Sequence, residues 1–464
     1  VTISTIAAIA TPMGVGGIGI VRISGPDALQ IAQTVFQPSH LRRRSPTPFI
    51  LKSHRLHHGR IVDPDTGRIL DEVLLVWMKA PHSYTREDVV EIQMHSGPAV
   101  VRAVLGLVLR HGAVPAEPGE FTRRAFLSGR IDLTQAEAVI DIISARTDSA
   151  LHIATAQLQG ALRQHIESLR KLIRGVLAET EAAIDFPDDV GGDIDDGWIL
   201  KQLEQEALSS LRSLAARYDA GHILRDGLKV VVAGKPNVGK SSLMNCLLDQ
   251  DRAIVTDLPG TTRDFIEENL VVRGIPILLT DTAGLRSTED LIEKIGVERT
   301  LSRIEGADLV LFVTAAGSPI TDEDTDLFEI VRHKAVIWVL NKCDLDPLGN
   351  NTVFPDCWRS IPRVSISARY NQGIDTLKQK IEALALQPSL AYESAIIPNL
   401  RQKHAIDAAV AALMAAAEGI RCGMPFELVN LDIRSAYDLL GEILGVTIRD
   451  DILDYVFERF CVGK

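Results

Sequence analysis

The chain has 464 residues, 46% of them hydrophobic, and a formal net charge of −12. That length exceeds what one ordinary core organises, so about three domains are expected. The negative charge argues against non-specific nucleic-acid binding, which needs a cationic surface, and leaves room only for a local basic patch on one face. No apolar run approaches the roughly 18 residues that span a bilayer, no basic n-region precedes the first apolar stretch, and five scattered cysteines show neither CxxC nor Cys/His ligand spacing. A soluble cytoplasmic protein without a disulfide framework or zinc site is expected.

From Gly14 to about Ala116, short apolar runs such as Ile18 to Ile23 and Glu72 to Trp77 alternate with Gly and Pro, and Ala99 to Arg110 is a helix candidate. This predicts an α+β domain. Gly14-Val-Gly-Gly-Ile-Gly19 satisfies GxGxxG, but it precedes a strand and is read as following none, so the dinucleotide-binding context fails. From Thr134 to about Ile184 the chain holds no proline and only Gly160 and Gly175; Leu162, Ile166, Leu169, Ile173 and Val176 recur at steps of four and three, the stripe of packed long helices. The acidic segment from Asp185 breaks this pattern, and a second periodic stretch runs from about Trp198 to Tyr218. After Arg225, β-rich runs alternate with helices to about Ala385, which predicts a parallel sheet. From Asn399 to Phe460 the helical texture returns, including the Ala-rich run from His404 to Ile420. The expected segments are therefore 1–120, 121–222, 223–385 and 386–464, with the α/β unit inserted into one helical domain. Two separate helical domains are the alternative.

The α/β unit carries the chemistry. Leu228 to Gly234 reads as a buried strand, followed by Gly234-Lys-Pro-Asn-Val-Gly-Lys-Ser241 and a helix from Ser242 to Leu248, the Walker A pattern in its strand–loop–helix setting. The backbone amides from Asn237 through Val238, Gly239 and on to Ser242 close round phosphates at a helix N-terminus. Lys240 reaches the β/γ oxygens, and the Ser241 hydroxyl ligates Mg²⁺. A second strand, Pro276 to Asp281, leads into Asp281-Thr282-Ala283-Gly284, where the acid holds Mg²⁺ through water and the Gly284 backbone senses the γ-phosphate. A third, Ala335 to Leu340, leads to Asn341-Lys342-Cys343-Asp344, whose carboxylate accepts two donors from guanine N1 and N2 where adenine offers no match. Ser367 and Ala368, in the segment Ser365-Ile-Ser-Ala368, complete the base pocket. The residue after Gly284 is Leu285, which cannot orient water as the glutamine of Ras-type GTPases does. Arg263 and Arg286 read equally well as transition-state cations and as solvated loop charges.

Three blocks resemble the MnmE (TrmE) family of tRNA-modification GTPases, and the match runs from Ile6 to Lys464. They are Ala10 to Gly25, Pro118 to Leu133 and Phe460-Cys-Val-Gly-Lys464. The resemblance implies an N-terminal domain that binds 5-formyltetrahydrofolate and mediates homodimerisation, a Ras-like G domain inserted in a helical domain, and hydrolysis that depends on K⁺. Asn237 stands where the family coordinates potassium, with backbone groups of Thr256, Leu258 and Thr261 completing the loop. Thr262 matches the second Mg²⁺ ligand, and Thr256, Thr261 and Thr262 join the GTP-binding set. Glu293 aligns with the family's water-orienting glutamate, so Glu293, Lys240 and Asn237 form the expected catalytic group. A bound K⁺ then takes the place of an arginine finger. For folate the matching positions are Arg22, Glu87, Arg130 and Lys464, cations for a carboxylate tail and an acid for the pterin donors; membership of surface ion pairs is the lesser alternative for Arg22 and Glu87. Arg130, Ser128 and Ser96 depart from the family's common lysine, asparagine and glycine. Cys461 would sit on a frayed tail by default, and the resemblance raises a role for it that would require a depressed thiol pKa.

The function implied is installation of a carboxymethylaminomethyl-type group at C5 of wobble uridine 34 of certain tRNAs. The one-carbon unit would come from the folate, and an MnmG-type flavoprotein carrying the FAD would join in a heterotetramer or larger assembly. GTP hydrolysis would drive a conformational change. A GTP-dependent ribosome-assembly switch is the alternative; it predicts a basic RNA-binding appendage, and none is obvious in the helical C-terminal half. A stand-alone folate aminomethyl transferase would leave the G domain unexplained.

Overall fold

The computed structural model describes residues 4–39, 50–185, 195–251, 267–281, 303–346, 355, 358–385, 396–447 and 450–464. The N-terminal segment forms β1 (Ile6–Ile9), β2 (Gly19–Ser24), β3 (Phe36–Pro38), β4 (Leu56–Val62), β5 (Ile69–Met78), β6 (Val89–Met94) and β7 (Val114–Pro115), in the order β3-β4-β5-β6-β2-β1-β7. All neighbours are antiparallel except β1 and β7. Helices α1 (Ala28–Val35) and α2 (Pro98–Arg110) cover one face, where Val21, Ile23 and Ile92 meet Ile31, Val104 and Leu107. Strand alternation turns Arg22 to the other face, toward α3 (Glu120–Leu127) and residues 460–464. The GxGxxG loop does follow a strand, β1, contrary to the expectation from sequence. It leads into antiparallel β2 and not into a helix, so no dinucleotide fold results.

The proline-free stretch is three helices, α4 (Leu133–Ser144), α5 (Asp148–Leu158) and α6 (Ala161–Asp185). Asp132 caps α4 in a reciprocal box with Gln135, Thr147 caps α5, and Gly160 at φ 89° separates α5 from α6. These local stops interrupt what apolar periodicity alone reads as continuous. Beyond the acidic segment come α7 (Asp196–Leu200), a π-helical stretch Lys201–Leu208 and α8 (Ser209–Asp226).

Gly227, at φ 85°, ends α8 and opens β8 (Leu228–Ala233). After β8 come α9 (Lys240–Asp251), β9 (Glu267–Val272), β10 (Ile275–Asp281), β11 (Leu309–Ala315), α10 (Asp322–Val331), β12 (Ala335–Asn341), β13 (Arg363–Ser365) and α11 (Ile374–Ala385). The strand order is β13-β12-β11-β8-β10-β9, parallel except for the β9–β10 pair. β8 thus lies between β10 and β11, where chain progression across the sheet reverses, and a doubly wound sheet binds ligands at the carboxyl ends of its strands at that point.

The chain then re-enters the helical domain as α12 (Leu400–Arg421), α13 (Phe426–Leu444) and α14 (Asp450–Glu458). Leu162, Ile166 and Ile173 of α6 share one core with Leu203, Leu211, Leu413, Ile433 and Leu440. Neither half could bury its apolar stripe alone, so the two form a single domain into which the Ras-like unit is inserted. No helix among the described residues is long and apolar enough to cross a membrane.

Both crossings of the chain pass through one neck. Arg225, at the end of α8, donates from Nη1 to the Ile397 carbonyl at 3.1 Å, and Gln157 Nε2 donates to the same oxygen at 2.7 Å. Ile397 packs with Ile153 and Leu224. Arg225 also pairs with Asp141 of α4, and Arg146, following α4, donates to Asn269 on β9. Glu137, buried on α4, accepts from Arg401 Nε and Nη2 at 2.8 Å each and from Gln402 Nε2 at 2.6 Å, which ties the segment after the insertion to the segment before it.

Candidate nucleotide site and N-terminal cation cluster

The P-loop runs from Gly234 to the start of α9 at Lys240, and its shape follows from its residues. Gly234 and Gly239 adopt φ 147° and 97°; a Cβ on Gly239 would lie 2.2 Å from Asn341 Nδ2, and one on Gly234 would lie 2.3 Å from the Val313 carbonyl. Only glycine fits either place. Asn237 takes the left-handed conformation at φ 62° with its side chain exposed. Lys240 is buried, and its ammonium donates to the carbonyls of Gly234 and Lys235 at 2.8 and 2.7 Å, across the mouth of the loop. Ser241 and Ser242 follow in the first turn of α9, whose free amides and positive dipole end suit an anion. Lys235 anchors the loop to α10 through Asp324 at 2.6 Å.

The guanine-recognition segment packs directly on this loop. Asn341 is fully buried; its Nδ2 donates to the Val238 carbonyl at 3.0 Å, and its Oδ1 accepts from the Lys342 and Ala368 amides at 2.8 and 3.1 Å. Expected as a nucleotide contact, Asn341 here braces the phosphate loop against the base loop. Lys342, left-handed at φ 62°, stretches its ammonium back to the Asn237 carbonyl at 2.7 Å. Asp344 follows in a 3-10 turn, oriented by the buried Ser367 hydroxyl donating to Oδ1 at 2.6 Å. The structure therefore gathers Asn237, Val238, Gly239, Lys240, Asn341, Lys342, Asp344, Ser367 and Ala368 at the carboxyl edge of β8 and β12. β10 brings the Asp281 backbone to the same edge beside β8. Thr256, Leu258, Thr261, Thr262, Thr282, Ala283, Gly284, Leu285 and Glu293 lie outside the described residues, as do Arg263 and Arg286.

A second cluster lies on the N-terminal domain. Arg22 sits directly opposite Glu91 in the β2–β6 register and pairs with it at 2.9 Å. Its guanidinium also donates to the Gly463 carbonyl at 3.2 Å and lies 5.6 Å from the Phe121 ring centre. Glu87 accepts from Ser24 Oγ at 2.7 Å and from Arg124 at 3.1 Å. Both residues are thus ion-pair members as they stand, at less than one-fifth side-chain exposure. Arg130 donates to the Ser83 carbonyl at 3.0 Å and stacks 4.9 Å from the Tyr84 ring centre. Burial pushes the Tyr84 phenol above its ordinary value, against the Thr122 hydrogen bond and the positive charges of Arg130 and Arg22. A cleft of about 500 Å³ opens here, lined by Met78, Pro81, His82, Ser83, Tyr84, Arg86 and Arg130. Of the four expected folate residues only Arg130 lines it; Arg22, Glu87 and Lys464 are not among the lining residues.

The tail is not frayed. Val462 forms a bridge with Pro118, the Phe121 amide donates to the Lys464 carbonyl at 3.1 Å, and a Cβ on Gly463 would lie 2.2 Å from the Ile9 carbonyl. Cys461 is exposed at its edge. Sequence reasoning missed Arg124, Glu91, Tyr84 and Phe121. The Glu120–Arg124 pair at helical spacing was the one local signal, since the other partners meet only through sheet register.

The strand order, the glycine-shaped loop and the Asn341–Asp344 segment define a P-loop GTPase. Comparison with known proteins narrows this. A model for the GTP-binding protein TrmE N-terminus matches residues 5–130, and one for the MnmE helical domain matches residues 133–461, spanning the inserted unit. The tRNA modification GTPase MnmE of Natranaerobius thermophilus is 44% identical over 464 residues, covering all of both chains. That of Geobacter sulfurreducens is 47% identical over 99% of each. The G domain of the T. maritima FeoB iron transporter is 29% identical over 34% of this chain and 98% of that one, with a TM-score of 0.26. The chain belongs to the MnmE family of GTP-hydrolysing enzymes.

Proposed function

We propose that this protein is a K⁺-activated GTPase that modifies tRNA. With an MnmG-type flavoprotein it places a carboxymethylaminomethyl-type group on C5 of wobble uridine 34, using 5-formyltetrahydrofolate as the one-carbon source. The observation that carries the reading is that one chain, matched along its length by tRNA modification GTPases, joins a guanine-nucleotide site to a cation-rich cluster beside an aromatic cleft.

At the nucleotide site, Lys240 would exchange its loop carbonyls for phosphate oxygens, Ser241 and Thr262 would hold Mg²⁺, and Asp344 would accept the guanine donors. The Asn237 side chain is exposed and is carried on a left-handed residue whose carbonyl is already held by Lys342, which leaves its amide oxygen available for a cation. With Thr256, Leu258 and Thr261 it would hold K⁺, which supplies positive charge to the transition state. Glu293 orients the water. On the N-terminal domain, Arg22, Arg130 and Lys464 fit an anionic glutamyl tail, and Glu87 fits the pterin donors once Arg124 shares it. The protein works in the cytoplasm as a homodimer.

Two measurements test this. GTP hydrolysis by the purified protein should be faster in K⁺ than in Na⁺ at equal ionic strength, and equal rates would remove the potassium assignment. tRNA from a strain lacking the gene should carry altered wobble uridines by nucleoside analysis; unchanged tRNA would remove the modification role and leave a GTP-dependent switch.

A further inference from the structure

The helical domain carries a cleft that neither nucleotide nor folate accounts for. It lies between α6 and α13, has a volume of about 160 Å³, and is lined by Glu167, Arg170, Lys171, Arg174 and Tyr437. Arg170, half-buried, lies 4.2 Å from the Tyr437 ring centre and is held in place there. Lys171 and Arg174 are exposed and form no ion pair among the described residues. Two acids beside the cleft are already paired. Arg163 takes Glu167 at 2.9 Å, and Arg434 of α13 takes Glu181 at 2.7 Å. What remains is a concentration of uncompensated positive charge on a protein of net charge −12.

We propose that this cleft binds the phosphodiester backbone of the tRNA substrate. Arg170 and Arg174 stand one helical turn apart, about 6 Å along the axis, a spacing that matches successive phosphates on a strand. Guanidinium forks suit phosphate oxygens better than they suit a diffuse acidic surface. Arg170 lies over one face of the Tyr437 ring and the other lining groups are charged, so the cleft positions the backbone without reading sequence. On an otherwise acidic protein, a confined basic site also sets where the polyanion lands. The proposal rests on the tRNA reading above.

The test uses the full chain and labelled unmodified tRNA, followed by fluorescence anisotropy across a salt series. Lys171→Gln with Arg174→Gln should weaken binding about tenfold near physiological salt and lower the slope of log affinity against log salt by about two. The charge-matched control Lys52→Gln with Arg102→Gln, on the N-terminal domain, should bind as the unaltered chain does. GTP hydrolysis, unchanged in both, certifies folding. Equal weakening by the control, or an unaltered slope in the α6 variant, overturns the proposal. So does an α6 variant that keeps its tRNA affinity but loses the partner flavoprotein, because the occupant is then a protein. If the unaltered chain binds no tRNA while the deletion strain's wobble uridines are altered, the cleft assignment fails and the tRNA function stands; unaltered uridines remove that function itself.

Discussion

Glu137→Gln isolates the contact that joins the two halves of the helical domain. The carboxylate is 8% exposed and receives two bonds from Arg401 and one from Gln402. Burial alone pushes its pKa up, but the charge and hydrogen bonds of Arg401, with Arg225 farther off, carry it below the ordinary value. Replacing the acid leaves the Arg401 charge buried and turns an amide toward donors, and removing one partner of a buried pair costs about 3–5 kcal/mol. The glutamine carbonyl retains one bond, so the lower half of that range applies. For a helical body of this size each kcal/mol lowers Tm by about 2–4 °C, and the helical transition followed by circular dichroism should fall by roughly 6–16 °C. Glu137→Leu with Arg401→Met should recover part of this, with about 1–3 kcal/mol still lost because Gln402 keeps no acceptor. The folded-state pKa lies below the unfolded one, so the stabilisation is fully present above about pH 4.5 and disappears as pH falls through the depressed value. A single variant melting within about 2 °C of the parent, or a difference that grows on acidification, would refute the reasoning.

Gly239→Ala forces φ 97° on a residue with a Cβ and drives that atom into Asn341; GTP affinity by calorimetry should fall about 5- to 150-fold, from strain of roughly 1–3 kcal/mol. Asp344→Asn removes the acceptor for two guanine donors, each charge-assisted bond contributing about 1.5–3 kcal/mol, so GTP affinity should fall about 10²–10⁴-fold while xanthosine triphosphate, with an acceptor at C2, improves in competition. Gly463→Ala places a Cβ against the Ile9 carbonyl and should free the tail, exposing residues 460–464 to protease. 5-Formyltetrahydrofolate binding by equilibrium dialysis should weaken about tenfold, because Arg22 loses its Gly463 acceptor, while basal GTP hydrolysis stays unchanged.

The parts of this protein that were legible in sequence are those where chemistry acts locally. Gly234 to Ser241 must bend backbone round phosphate, so its glycines and lysine appear at fixed spacing, and the α6 stripe from Leu162 to Val176 shows its buried face directly. Asn341 was legible as a position but not in its work, since its bonds to Val238 and Ala368 cross between loops. The partners of Arg22 and Glu87 were hidden for the same reason: Glu91 is set by sheet register and Arg124 by how α3 docks. Glu137 and Arg401 are 264 positions apart, and no periodicity links them. The π-helical stretch from Lys201 to Leu208 left no sequence signal that separates it from an α-helix.

Arg22 donates to a carbonyl 441 positions downstream. A ribosome adding about 5–20 residues per second would need roughly 20–90 s to deliver that partner. Through that interval the N-terminal sheet has its helices but not the strap that closes its second face. Completion of this cluster therefore waits on residue 463, and a product stalled short of it leaves Arg22 with Glu91 and the Phe121 ring but without its carbonyl acceptor.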